Sequence, residues 1–215
     1  MSPPYVEVVR VVARDISWND KDLVWPYLKA GQEWVDDYDV PPIKVYSGLN
    51  RVLQNDTQYM YVVVVWPSKA KYVEFKKPLE VSGEEEPGND LWLLAPSREF
   101  RPDAALGAKW TTITIWSLKK SEDIANVTGT LIPQYVQHIH EVLPSSGAGW
   151  GFVDSGSKPN AKFQVVVIYG TEEGGQHWSP LHSPEHPGVY KVFEEMCRIA
   201  NLDTVHWVEL NPKWY

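Results

Sequence analysis

The chain spells one order of elements twice, and that repetition constrains the fold more than any other feature of the sequence. In the first copy, residues 5–14 are Val-rich and predict a strand. Residues 20–38 then set Leu23, Tyr27, Ala30, Trp34 and Tyr38 at helical spacing, and Pro41 with Pro42 stops the run. Residues 43–52 and 59–66 predict two strands around the turn Gln54, Asn55, Asp56. A short helix over 68–77 ends at Pro78; an acidic loop and a strand over 91–95 follow. The second copy predicts a strand over 110–118 and a helix over 122–143 interrupted at Pro133. Strands over 150–154 and 162–169, a helix over 188–201 and a strand over 204–210 complete it. A shift of 103 positions lays Trp66 on Tyr169, Ser68 on Thr171 and Tyr61 on Gln164. Identity between the copies is low, so the repeat resides in element order and hydrophobic pattern.

A single unit of this kind has one sheet with helices on one face and leaves the other face bare. The expected fold is therefore α+β: two fused ferredoxin-like βαββαβ repeats, residues 1–100 and 101–215, packed sheet to sheet as a pseudodimeric α/β barrel. The bridge over 95–108 has linker composition, and the space between the sheets would suit a small organic ligand.

The run Tyr61 to Phe75 resembles the strand-to-helix junction of the dimeric α/β barrel superfamily, in its antibiotic-biosynthesis-monooxygenase-like branch. The matching residues are Trp66, Ser68 and Phe75. In the second copy Tyr169 and Thr171 replace the Trp and Ser, and an insertion over 174–188 precedes the helix. Its stretch His182 to Pro187 resembles the Ser-Pro-x-His stretch at the start of that helix in relatives. Many relatives are homodimers of one-repeat chains, so the resemblance implies a tandem form with the pseudodimer in one chain. Such a chain would be a monomer, or a dimer through outer surfaces. The superfamily spans cofactor-free monooxygenases, cyclases, isomerases and haem-binding branches, so fold alone leaves the chemistry open.

Charge excludes some partners. With 20 basic and 28 acidic residues the formal charge is −8, which disfavours nucleic acid and anionic membrane. The beginning of the chain shows no secretory pattern and no apolar run is long enough to span a bilayer, so a cytoplasmic location is expected. Cys197, the one cysteine, lies in an apolar-periodic helix and reads as buried and inert. His138 and His140, two apart on a helix, point about 200° apart and cannot share an ion. Pro184 and Pro187 prevent a regular helix through His182 and His186. No metal-ligand spacing, P-loop, GxGxxG or GxSxG setting is present, and neither metal nor cofactor is expected.

Acid–base chemistry is what remains. His177, His182, His186 and His206 fall in the second copy, three of them in the Gly- and Pro-rich insertion. That insertion reads as a lid, with Trp178 as its apolar cover and His186 the favoured catalytic histidine; a solvated loop is the competing reading. His206, alternating with Val208 and Leu210, reads equally as a structural or a catalytic group. Strand alternation nominates pocket walls: Tyr59 and Tyr61, with Tyr61 also offering a catalytic hydroxyl, Thr112, Thr114 and Trp116, and Gln164. Ile113 and Ile115 would then face helices. Glu7 and Arg10 lie on opposite faces of their strand, so at most one points inward. With 11 Trp and 11 Tyr, some aromatic rings would line the cavity. The resulting expectation is a cofactor-independent enzyme acting on a hydrophobic, secondary-metabolite-like molecule by cyclisation, isomerisation or a related rearrangement. A cofactor-free monooxygenase and a non-catalytic small-molecule-binding protein are the alternatives.

Overall fold

A computed structural model of the chain describes residues 4–12, 44–50, 59–80, 90–153, 163–172 and 178–210. Eight strands are seen: β1 (Tyr5–Val12), β2 (Lys44–Asn50), β3 (Tyr59–Trp66), β4 (Asp90–Pro96), β5 (Trp110–Leu118), β6 (Gly149–Val153), β7 (Gln164–Thr171) and β8 (Ala200–Leu210). They close into a barrel in the order β1-β3-β2-β8-β5-β7-β6-β4, and every neighbouring pair is antiparallel. The sheet content of residues 5–96 and that of 110–210 do not merely lie face to face, as sheet-to-sheet packing implied. They are hydrogen-bonded edge to edge, at Gly48–Asn50 against Val208–Leu210 and at Leu94–Pro96 against Gly151–Val153. An unpaired strand edge inside a small domain leaves N–H and C=O groups unmet, and pairing the edges satisfies them.

The helices sit outside the barrel. Helix α1 (Lys69–Glu80) continues through Pro78, where a stop was expected. Ser68 begins it, its Oγ accepting the Lys71 N–H at 3.3 Å. Helix α2 (Pro102–Leu106) lies within the bridge, which is packed rather than a free linker: Phe100, Ala105 and Leu106 are buried in the barrel core. Past β5, a 3₁₀ turn (Ser121–Asp123), one α turn (Ile124–Asn126) and a π turn (Val127–Leu131) lead into α3 (Ile132–Val142). Pro133, with no N–H to give, follows directly on the π turn, whose wider winding interrupts the regular i→i−4 ladder where the proline sits. The short α4 (Trp178–Leu181) precedes α5 (Pro187–Ile199). Helix α5 buries Val189, Val192 and Met196 at helical spacing, and α3 buries Ile132, Tyr135, Val136 and Ile139. Lys119 Nζ donates to the carbonyls of Cys197 and Arg198, placing a cation at the C-terminal end of α5. Cys197 itself is exposed, not buried, because it lies one helical step away from the Met196 face. The helix expected over 20–38 lies outside the described residues.

Two cores result, and they assign every strand face. The interior of the barrel holds Val6, Val8, Tyr46, Tyr61, Val63, Leu94, Ile113, Ile115, Val166, Ile168, Val208 and Leu210. A second core lies between β5, β6, β7 and the helices α3, α4 and α5; Trp116, Tyr135, Val165, Val167, Tyr169 and Leu181 belong to it.

Candidate functional site

Alternation along four strands carries polar groups to one end of the barrel interior. On β1 the inward series Val6, Val8 ends at Arg10; on β3 it begins at Tyr59 and Tyr61; on β8 Leu210 and Val208 are followed by His206. On β2 the series Tyr46, Gly48 ends at the buried Asn50. Register pairs Arg10 with Tyr61 and Asn50 with Val208, so these residues share one end. Tyr61 and His206 are wholly buried, with ring centroids 5.1 Å apart, while Arg10 and Tyr59 are half-buried at the rim. The Arg10 guanidinium lies over the Tyr59 ring, 4.5 Å from its centroid, and its Nη1 donates to His206 Nε2 at 3.4 Å.

A guanidinium only donates, so Nε2 of His206 accepts and the imidazole is the neutral, Nδ1-protonated tautomer. Burial, and then the Arg10 charge, push the His206 pKa down to about 3. The neutral histidine therefore favours folding at neutral pH. That contribution is complete above the ordinary histidine pKa near 6.5 and is lost as pH falls from there toward about 3. A shift of this size is worth on the order of 3–5 kcal/mol. Urea unfolding of wild type should show stability declining between pH 6.5 and 4, with a shallower decline in His206→Phe. Equal slopes would show that His206 is not the group responsible.

The structure sorts the remaining predicted residues. Tyr59, Tyr61 and His206, predicted from separate arguments, come together. Thr112, Thr114 and Trp116 do not join them; the face assigned to the cavity is the helix-facing one, and Ile113 and Ile115 point inward instead. The physical reason is that this strand's helix-side core is the more aromatic of the two, with Trp116 edge-on to Phe193 and Thr114 Oγ1 donating to the Val167 carbonyl. Gln164 lies on the inward register at the same end but in a separate cluster, donating to Ser117 Oγ and Asp203 Oδ2; Ser117 Oγ also donates to Asp203. His177 lies outside the described residues. His186 precedes α5 and its carbonyl accepts the Tyr190 N–H. The described part of the insertion is no cover for the barrel mouth: Leu181 is buried in the helix-side core, and Trp178 packs on Phe193 and on Trp207, which faces away from His206. Apolar side chains that can complete a core do so in preference to covering a polar opening.

Sequence reasoning weighed Arg10 but did not choose it, and missed Asn50. Each shares strand parity with a core residue, Arg10 with Val6 and Val8, Asn50 with Tyr46, and that parity was the available signal. Glu7 takes the outer face, where Trp66 Nε1 donates to it at 3.1 Å. Trp66 is also edge-on to Tyr72 of α1, so the Trp of the resembling motif packs the helix onto the sheet.

Among the described residues no three His, Cys, Asp or Glu gather as metal ligands. His182 and His206 do not fit an axial role to haem. Both nitrogens of His182 are engaged, Nε2 with Tyr135 OH at 2.5 Å and Nδ1 with the Trp178 carbonyl at 2.7 Å, and Nε2 of His206 faces a guanidinium. No helix among the described residues is long and apolar enough to cross a membrane.

No family model and no curated protein matches the chain. Solved structures do. A candidate monooxygenase from Lactobacillus acidophilus NCFM aligns over 98% of this chain and 95% of its own, with TM-score 0.59 and 11% identity. An anthrone oxidase-like protein aligns over 97% and 92%, with TM-score 0.56 and 9% identity. A chlorite dismutase variant from Candidatus Nitrospira defluvii aligns over 99% and 92%, with TM-score 0.52 and 12% identity. At these identities the likeness is one of fold: the chain has the α+β barrel architecture that the resemblance implied.

Proposed function

We propose that the chain is a cofactor-independent enzyme that binds a hydrophobic small molecule at the Arg10 end of the barrel, removes a proton from it, and lets the resulting anion cyclise or isomerise. One observation carries this reading: a guanidinium, a neutral imidazole and two tyrosines converge at one end of a barrel interior built mostly of aliphatic side chains. In this reading a substrate carbonyl oxygen takes over the Arg10 donor. His206 Nε2 is thereby released, and the charge that depresses its basicity is offset by the developing oxyanion. Nε2 then accepts the C–H proton, while Arg10 and the Tyr61 hydroxyl hold the enolate. The barrel would be a tandem of two repeats, 1–100 and 101–215, with strand orders β4-β1-β3-β2 and β8-β5-β7-β6 supporting the same layout in each.

A cofactor-free monooxygenase is the second reading, favoured by the likeness in fold to a candidate monooxygenase and to an anthrone oxidase-like protein. It shares the anion, which reacts with dioxygen so that one oxygen atom enters the product and the other leaves as water, the substrate supplying the electrons. A panel of enolisable polycyclic ketones and phenols, followed by mass spectrometry of products with an oxygen electrode, tests both. A product of unchanged mass without oxygen uptake supports rearrangement, and a gain of oxygen supports the second reading. Saturable binding with no product in any case defeats both in favour of a binding protein. Tyr61→Phe should lower kcat by about ten- to a hundredfold with an unchanged melting temperature, since one hydrogen bond to a charged species is lost. Wild-type kcat in Tyr61→Phe would remove the hydroxyl from the chemistry.

A further inference from the structure

A second constellation lies on the other side of the sheet from Arg10 and His206. Tyr135 of α3 is wholly buried, and its hydroxyl meets His182 Nε2 at 2.5 Å. The Trp178 carbonyl can only accept, so Nδ1 of His182 carries the proton and Nε2 is the acceptor of the tyrosine's. Trp178 stacks on His182 with centroids 3.9 Å apart, and Trp207 lies edge-on to Trp178 at 6.4 Å. Trp207 follows His206 in β8, so this aromatic series runs from the back of the candidate site to Tyr135.

We propose that Tyr135 and His182 form a redox pair in which Tyr135 gives up one electron while its phenolic proton crosses to His182 Nε2. The products are a neutral phenoxyl radical and an imidazolium whose Nδ1–H stays on the Trp178 carbonyl; re-reduction returns both electron and proton. The electron passes through Trp178 and Trp207 to a one-electron oxidant, of the class of organic radicals formed when a substrate anion gives an electron to dioxygen. Only that source rests on the oxygen-using reading; the pair itself does not. Geometry favours this role over acid–base work on a ligand. Tyr135 lies in the helix-side core and not in the barrel interior where a ligand is proposed to bind, whereas electrons cross packed aromatic rings without contact. Burial keeps the phenol protonated, its pKa well above the ordinary value, and holds the His182 pKa down to about 4, so the proton rests on oxygen until an electron leaves. Oxidation makes the phenol a strong acid, and the acceptor is already in line.

The test uses the whole protein with a photogenerated ruthenium(III) complex as oxidant, so no substrate is needed. Freeze-quenched electron paramagnetic resonance should show a tyrosyl radical, absent in Tyr135→Phe. In wild type exchanged into deuterium oxide, electron–nuclear double resonance should show one strongly coupled exchangeable deuteron from the imidazolium. His182→Gln keeps an acceptor but no base, and should lose most of the radical yield. A radical equally abundant in Tyr135→Phe, or one with no coupled exchangeable deuteron in wild type, would overturn the proposal whether or not the variants are stable. A radical that persists in a folded His182→Gln protein would do the same. Oxygen uptake with substrate is measured separately, so its absence would defeat the oxygen-using reading without touching the pair.

Discussion

Replacing Arg10 with methionine is expected to lower kcat/KM by about two to three orders of magnitude, the loss seen when a preorganised donor to a developing oxyanion is removed. Methionine keeps an unbranched apolar stem of similar length at this half-buried position, so the melting temperature should move little. The substitution has a second readout that a structural arginine would not give. Burial is the first cause of the low His206 pKa and the Arg10 charge the second, so without the charge the imidazole should titrate higher than about 3 while staying below an exposed histidine. An NMR titration of the His206 ring reports this directly. An unchanged rate together with an unchanged His206 titration would remove Arg10 from the site and the proposed chemistry with it.

Trp116→Ala is expected to cost about 3–5 kcal/mol of stability, the range for deleting a large aromatic side chain from a packed core. Trp116 has no exposed surface and packs on Phe193 within the helix-side core. Urea unfolding would measure the loss as a lower midpoint. The opposite outcome, a stable protein with weakened ligand binding, would restore Trp116 to a pocket wall and reverse the face assignment of β5. The comparison is informative because the two roles predict changes in different measurements.

The same strand shows what the sequence could and could not convey. Existence and order of the described strands were legible because period-two patterns and the turns between them are local properties. Which face of β5 turns inward was not. Thr-Ile alternation supplies one polar-tipped and one apolar face, and either can be buried when a helix layer and a barrel interior compete for them. The choice is settled by partners far along the chain, Phe193 and Tyr135 on one side and Tyr61 and His206 on the other. For β3 the interior face was assigned correctly, because Tyr59 and Tyr61 stood out against a run of valines. The convergence of Arg10 and His206 was beyond local reading, since 196 positions separate them. The insertion illustrates the reverse difficulty. Its glycines and prolines suggested a movable cover, yet Trp178 and Leu181 carry enough apolar surface to hold its described part against a core.

Closure of the barrel also bears on how copies of this protein meet. Each described strand has a hydrogen-bonded neighbour on both sides, through the two seams at Gly48–Asn50 and Leu94–Pro96 as much as through the longer pairings. An open sheet offers its outermost strand as a template for another chain, and that invitation is the usual start of strand-mediated aggregation. Here part of that template is consumed within one molecule, at the seams. Addition of another strand at a seam would first have to break it, so conditions that loosen the seams are those under which this protein should begin to aggregate.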